Sequence, residues 1–102
     1  MIVVLATIEL HAGKRNDFLA EFQKIVQPVR EEQGCIEYFP ATDHVTNLPA
    51  QGLARANVVV VCEKWGSIQA LEAHLIAPHM MAYRPRVKEY VKSVSLQILN
   101  PV

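Results

Sequence analysis

Residues 2–11, IVVLATIELH, are apolar at both alternating positions, the pattern of a strand covered on both sides. Ala12-Gly13 closes that run, and from Lys14 the period changes. Phe18, Phe22, Ile25 and Val29 recur at helical spacing, while Lys14, Arg15, Asp17, Glu21 and Lys24 fall on the other side. Pro28 is expected to end or kink the last turn of this helix, and Gly34 to cap it. CIEYFPA, from Cys35, predicts a second strand, and residues 40–55, with their prolines, glycine and small polar side chains, a loop. NVVVVCEKW is the strongest strand signal in the chain. Ser67 can then N-cap a helix whose inner stripe is Ile68, Leu71 and Leu75. Pro78 suits the first turn of another short helix, with Met80, Tyr83, Val87 and Tyr90 along one side. Residues 91–100, VKSVSLQILN, predict a final strand.

The order β-α-β-β-α-β, with short connections and right-handed crossovers, is that of a ferredoxin-like α+β fold: an antiparallel sheet with helices on one face. The 102 residues make one domain, spanning 1–102. Composition sharpens this expectation. At 51% hydrophobic, the chain carries more apolar surface than one small core can use. A second copy laid over the uncovered sheet face would account for the excess, so a homodimer is expected.

Charge removes some classes of partner. Ten basic and ten acidic residues balance, and no basic stripe of the kind that holds nucleic acid is present. Arg84, Arg86, Lys88 and Lys92 gather near one end, but Glu89 interrupts them and a solvated helix face explains them. No apolar run reaches the roughly 18–20 residues that span a membrane, and MIVVLATIEL lacks the basic start of a signal peptide. Two cysteines, Cys35 and Cys62, are too few for a disulfide framework and read as small core residues; if the middle strands paired symmetrically they would approach each other. The expectation is a cytoplasmic protein.

The polar groups with chemistry cluster between Cys62 and Tyr83, CEKWGSIQALEAHLIAPHMMAY. A helical metal pair needs histidines at i and i+4. His74 and His79 are five apart with Pro78 between them, so no metal site is expected. There is no nucleophile elbow and no phosphate-binding loop. Acid–base chemistry in an apolar pocket remains. His79 would lie in a first helical turn, where the dipole favours neutral imidazole, and His74 near the end of the preceding helix. Glu63 and Trp65 share one strand face leading into that helix, giving a carboxylate able to orient an imidazole beside an aromatic wall. On spacing alone, a capping or surface histidine, a core tryptophan and a glutamate paired with Lys64 or Arg84 are the favoured explanation of the same residues.

The runs Gln33-Gly34-Cys35, Glu63-x-Trp65, Leu71-Glu72-Ala73-His74-Leu75, Pro78-His79-Met80 and the ending Ile98-Leu99-Asn100-Pro101 resemble the antibiotic biosynthesis monooxygenase (ABM) family, most closely its quinol monooxygenase-like members. The resemblance covers essentially the whole chain. It implies a dimeric α+β barrel made of two protomers joined through their sheets, and a pocket between helices and sheet in each. It implies oxygenation of a small quinol or electron-rich aromatic molecule by dioxygen, with no flavin, haem or metal as cofactor. On that analogy His74 or His79 is the base, Glu63 orients it, and Trp65, Tyr38, Phe39 and Tyr83 shape an aromatic slot, with Arg84 near the substrate. Haem-degrading relatives use an asparagine on the first strand, where this chain offers Thr7. Other relatives isomerise a phosphorylated autoinducer-2-type compound, for which Arg55, Arg84 and Arg86 are the candidate phosphate ligands. A non-enzymatic small-molecule binder on the same scaffold is a third reading.

Overall fold

A computed structural model describes residues 1–102. Its elements are β1 (Ile2–Leu10), α1 (Arg15–Arg30), β2 (Cys35–Ala41), β3 (Val58–Trp65), α2 (Ile68–Leu75), α3 (Pro78–Val87) and β4 (Val91–Leu99). The four strands form one antiparallel sheet in the order β2-β3-β1-β4, the split βαβ arrangement that the alternation of periods predicts. All three helices lie on one face.

Strand alternation decides what that face buries. Val4, Ala6, Ile8 and Leu10 of β1 and Val59, Val61, Glu63 and Trp65 of β3 point to the helices and are buried. Phe18, Phe22, Ile25 and Val29 of α1 meet them, as the helical spacing of these residues requires. Each such side chain taken from water contributes about 1.5–3 kcal/mol before conformational entropy is set against it. The outward residues Val3, Leu5, Thr7, Phe39, Val60 and Cys62 share the opposite sheet face, which no element of the chain covers.

Several local expectations meet their physical limits here. Pro28 neither ends nor interrupts α1. It sits in the last turn, where only one intrahelical donor is lost, and the Glu31 amide still reaches the Gln27 carbonyl at 3.2 Å. Gly34 adopts the left-handed φ of 85°, but it closes the turn into β2 rather than capping the helix directly. Its missing side chain is needed for space as well, because a Cβ there would lie 2.6 Å from that of Ala70. The Ser67 side chain caps α2 by accepting the Ala70 amide at 3.1 Å, and Pro78 opens α3.

Two expectations need correction. The inner stripe of α2 is Leu71 and His74, whereas Ile68 is exposed and Leu75 half-buried. The cysteines are both free and do not approach as strand partners: Cys35 pairs with Trp65 and packs against the core, while Cys62 pairs with Phe39 on the outer face.

Candidate active site

Three short segments meet at one end of the sheet: the turn from α1 into β2, the last turn of α2, and the first turn of α3. Glu32 is on the first, its amide held by the Val29 carbonyl at 2.9 Å. His74 and His79 are on the other two. The Ala77 amide bonds the His74 carbonyl at 3.1 Å, folding the α2–α3 junction tightly enough to turn both rings toward Glu32. One carboxylate oxygen, Oε2 of Glu32, then meets Nδ1 of His74 at 2.9 Å and Nε2 of His79 at 2.7 Å. Charge-assisted contacts of this length fix both rings.

His74 is 2% exposed, so burial lowers its pKa, and the Glu32 carboxylate pulls the other way. Trp65 stacks against it at a tilt, ring centroids 4.7 Å apart, and Tyr38 presents an edge at 5.5 Å. With Nδ1 donating its proton to Glu32, the unprotonated nitrogen is Nε2, on the side of the ring that is left for a ligand. This is the orientation logic of an acid–base histidine.

Glu63 has a different partner from the one expected. Its Oε1 accepts the Trp65 indole N–H at 2.9 Å, and it touches neither imidazole through a hydrogen bond. Burial pushes its carboxyl up to about 7; the indole bond opposes that rise and the Glu32 charge adds to it. Orientation of the imidazoles therefore belongs to Glu32, in the turn that follows α1.

Beside this cluster lies a cavity of about 690 Å³. Its floor is Ala6, Ile8 and Val61 of the sheet, and its far wall is Val94 and Leu96 of β4. Phe22, Met80, Tyr83 and Val87 form the apolar roof, while Tyr38, Glu63, His74 and Arg84 supply the polar groups. Burial raises the pKa of both tyrosine hydroxyls, so each stays protonated as a hydrogen-bond donor. Such a mainly apolar pocket with a few convergent polar groups suits a small flat organic molecule.

The residues expected in the site divide accordingly. His74, Glu63, Tyr38, Tyr83 and Arg84 border the cavity. Trp65 does not: it is fully buried behind His74 and holds Glu63. Phe39 faces the opposite side of the sheet, because one residue along a strand reverses direction. His79 touches Glu32 but not the cavity. Among the arginines considered for phosphate, Arg55 is clasped by Asp43 at 2.8 Å and Arg86 bonds Glu21 at 3.1 Å, both away from the cavity. Arg84, the one that borders it, donates to the Leu75 carbonyl.

The chain belongs to the antibiotic biosynthesis monooxygenase family, whose sequence profile matches residues 1–86. Membership supports a monooxygenase-type activity for this fold and cavity. Among individual relatives, the Escherichia coli (strain K12) protein named "Probable quinol monooxygenase YgiN" is 40% identical over 99% of this chain and 98% of its own length. The solved structure of Rv0793 from Mycobacterium tuberculosis superposes with a TM-score of 0.78 at 26% identity, covering 99% of this chain and 94% of the other. PA3566 from Pseudomonas aeruginosa shares the fold with a TM-score of 0.80 at 22% identity, over 99% of this chain and 93% of its own. No helix is long and apolar enough to cross a membrane.

Proposed function

We propose that the protein oxygenates a small quinol or electron-rich aromatic molecule with dioxygen, without a bound cofactor, using His74 as the base. The observation that carries this reading is the Glu32–His74 contact of 2.9 Å through Nδ1, which leaves Nε2 as the free nitrogen of a ring that borders the apolar cavity. The name of the Escherichia coli relative points to the same substrate class.

The chemistry asks little of the protein beyond binding, proton removal and exclusion of water. Nε2 of His74 takes a hydroxyl proton from the quinol, and Glu32 stabilises the imidazolium that forms. The resulting quinolate is electron-rich enough to pass one electron to dioxygen. The two radicals combine at a ring carbon to give a hydroperoxide, which collapses with loss of water to a hydroxyquinone. Quinol and dioxygen thus become hydroxyquinone and water, with one oxygen atom in each product. Glu63, with its carboxyl near 7, is placed to return a proton to the departing hydroxide. Tyr38 and Tyr83 donate to the substrate's oxygens, and Trp65 keeps His74 in place.

The working form in this proposal is a homodimer. Val3, Leu5, Phe39 and Val60 would be covered by the same face of a second copy, and sedimentation at micromolar concentration should give twice the chain mass.

The deciding experiment is oxygen uptake with a reduced naphthoquinol, autoxidation subtracted, in wild type, Glu32→Gln and His74→Ala. Loss of a positioned base should lower turnover by about 10²–10⁴-fold in His74→Ala, with Glu32→Gln between the two. Equal uptake in wild type and His74→Ala would end the reading.

A further inference from the structure

We propose that Glu32, His74 and His79 form a zinc-type divalent metal site, and that its occupancy switches the histidine base off. Three observations carry it. The ligand atoms lie within 4.8 Å of one another, and both imidazole nitrogens stand 2.7–2.9 Å from one carboxylate oxygen. A tetrahedral ion bound at about 2.0–2.2 Å by nitrogen and oxygen holds neighbouring ligand atoms roughly 3.3–3.6 Å apart, so side-chain shifts of about an ångström bring the three atoms into place. Two imidazoles and one carboxylate, with a position left for water, are a donor set that zinc accepts.

The site is also built rather than accidental. Its ligands come from three segments that are each tied down by a backbone hydrogen bond, and Trp65 and Tyr38 hold the His74 ring from behind. His79 gives it an opening, since its side chain is 27% exposed whereas that of His74 is 3%. An ion can therefore reach the cluster from solvent without entering the cavity.

The metal would take Nδ1 of His74, the nitrogen now bonded to Glu32. The single ring proton of the neutral imidazole must then sit on Nε2. A nitrogen that accepts a proton from substrate becomes one that already carries a proton. The ion adds no redox step and bonds no substrate; it fixes the wrong tautomer. This switching clause rests on the reading of His74 as base, whereas the binding itself does not.

Metal-stripped protein should be titrated with zinc by calorimetry and with cobalt(II) by visible absorption. One ion per chain is expected, with binding weakened at least about tenfold in both Glu32→Gln and His79→Gln. In nitrogen-15 spectra of wild type, added zinc should move the ring resonances of His74 and His79 and leave those of His11 and His44, a readout that needs no variant. Oxygen uptake should fall in proportion to the zinc bound and return on chelation. Binding weaker than millimolar, or binding indifferent to both substitutions, overturns the site. Tight binding with unchanged uptake overturns the switch alone. Zinc binding by a protein that shows no uptake with any quinol overturns the oxygenase reading and leaves the metal site standing.

Discussion

The inner face of the sheet is built in two ways. Along β1 and β3 every helix-facing residue from Val4 to Leu10 and from Val59 to Trp65 is buried, with Val4, Val59 and Trp65 at 0% exposure. Along β4 the same face carries Val94, Leu96 and Ile98, and these remain 57%, 44% and 43% exposed. β1 and β3 are largely apolar on both faces and β4 alternates apolar and polar side chains, yet the helix-facing row of β4 is as apolar as that of β1. The difference is geometric: the helices cover three strands and stop, and the cavity opens along that boundary. The dense side holds the chemistry still, and the sparse side leaves room for a ligand. A hydrophobic pattern therefore reports which way a strand faces, not whether anything in the chain covers it.

The largest effect should come from the dense side. Trp65→Ala removes the largest fully buried side chain, the support of His74 and the partner of Glu63. It should cost about 3–5 kcal/mol in urea unfolding. A loss of under 1 kcal/mol would mean that this side is no better packed than β4.

Next comes Glu63. Its carboxyl is raised from 4.5 to about 7 in the folded protein, so between those pH values the folded state holds a proton that the unfolded state has released. Stability should fall as pH rises through that window, by up to about 3 kcal/mol, and stay level above it. Below 4.5 both states are protonated and the penalty vanishes. Glu63→Gln should cancel this contribution, making the variant the more stable protein at pH 8 and nearly equal at pH 4.5. His74 has the opposite slope, because its lowered pKa makes protonation destabilising as pH falls. The comparison must accordingly be between variant and wild type at each pH, measured by unfolding.

The smallest effect on stability should be on the sparse side. Leu96→Ala touches the cavity wall but little core, and should change unfolding free energy by under about 1 kcal/mol. Its effect should appear as a higher KM for the quinol with kcat nearly unchanged. If Leu96→Ala instead destabilises as strongly as a core deletion, a second copy covers β4 in solution.

Local chemistry was legible in the sequence wherever neighbours decide it. The change from strand to helical period, the Ser67 cap, the Pro78 start and the inward set Phe18, Phe22, Ile25 and Val29 all fell into place, and with them the order of the elements. Half of the site was not. Glu32 is 42 residues from His74, and in sequence it is one more acidic residue at the end of a helix. The signal that could have found it is indirect: it lies just before Gly34-Cys35, and Cys35 is paired with Trp65 at the root of α2. His74 was missed as part of the inner stripe because only apolar residues were counted at i and i+3 from Leu71. Phe39 was assigned to the cavity beside Tyr38, although adjacent strand residues cannot share a face.

The glycine at the head of β2 bears on time as well as space. Gly34 offers its carbonyl to the Gly66 amide at 2.8 Å, and its bare Cα lets the turn that carries Glu32 lie against Ala70 of the helix that carries His74. Carboxylate and imidazole thus ride on two segments stitched together at the backbone. The two segments part only when that stitch opens, an event on the slow timescale of sub-global unfolding rather than of side-chain motion. The pair is set before any ligand arrives, and the waiting is done by the other side of the cavity.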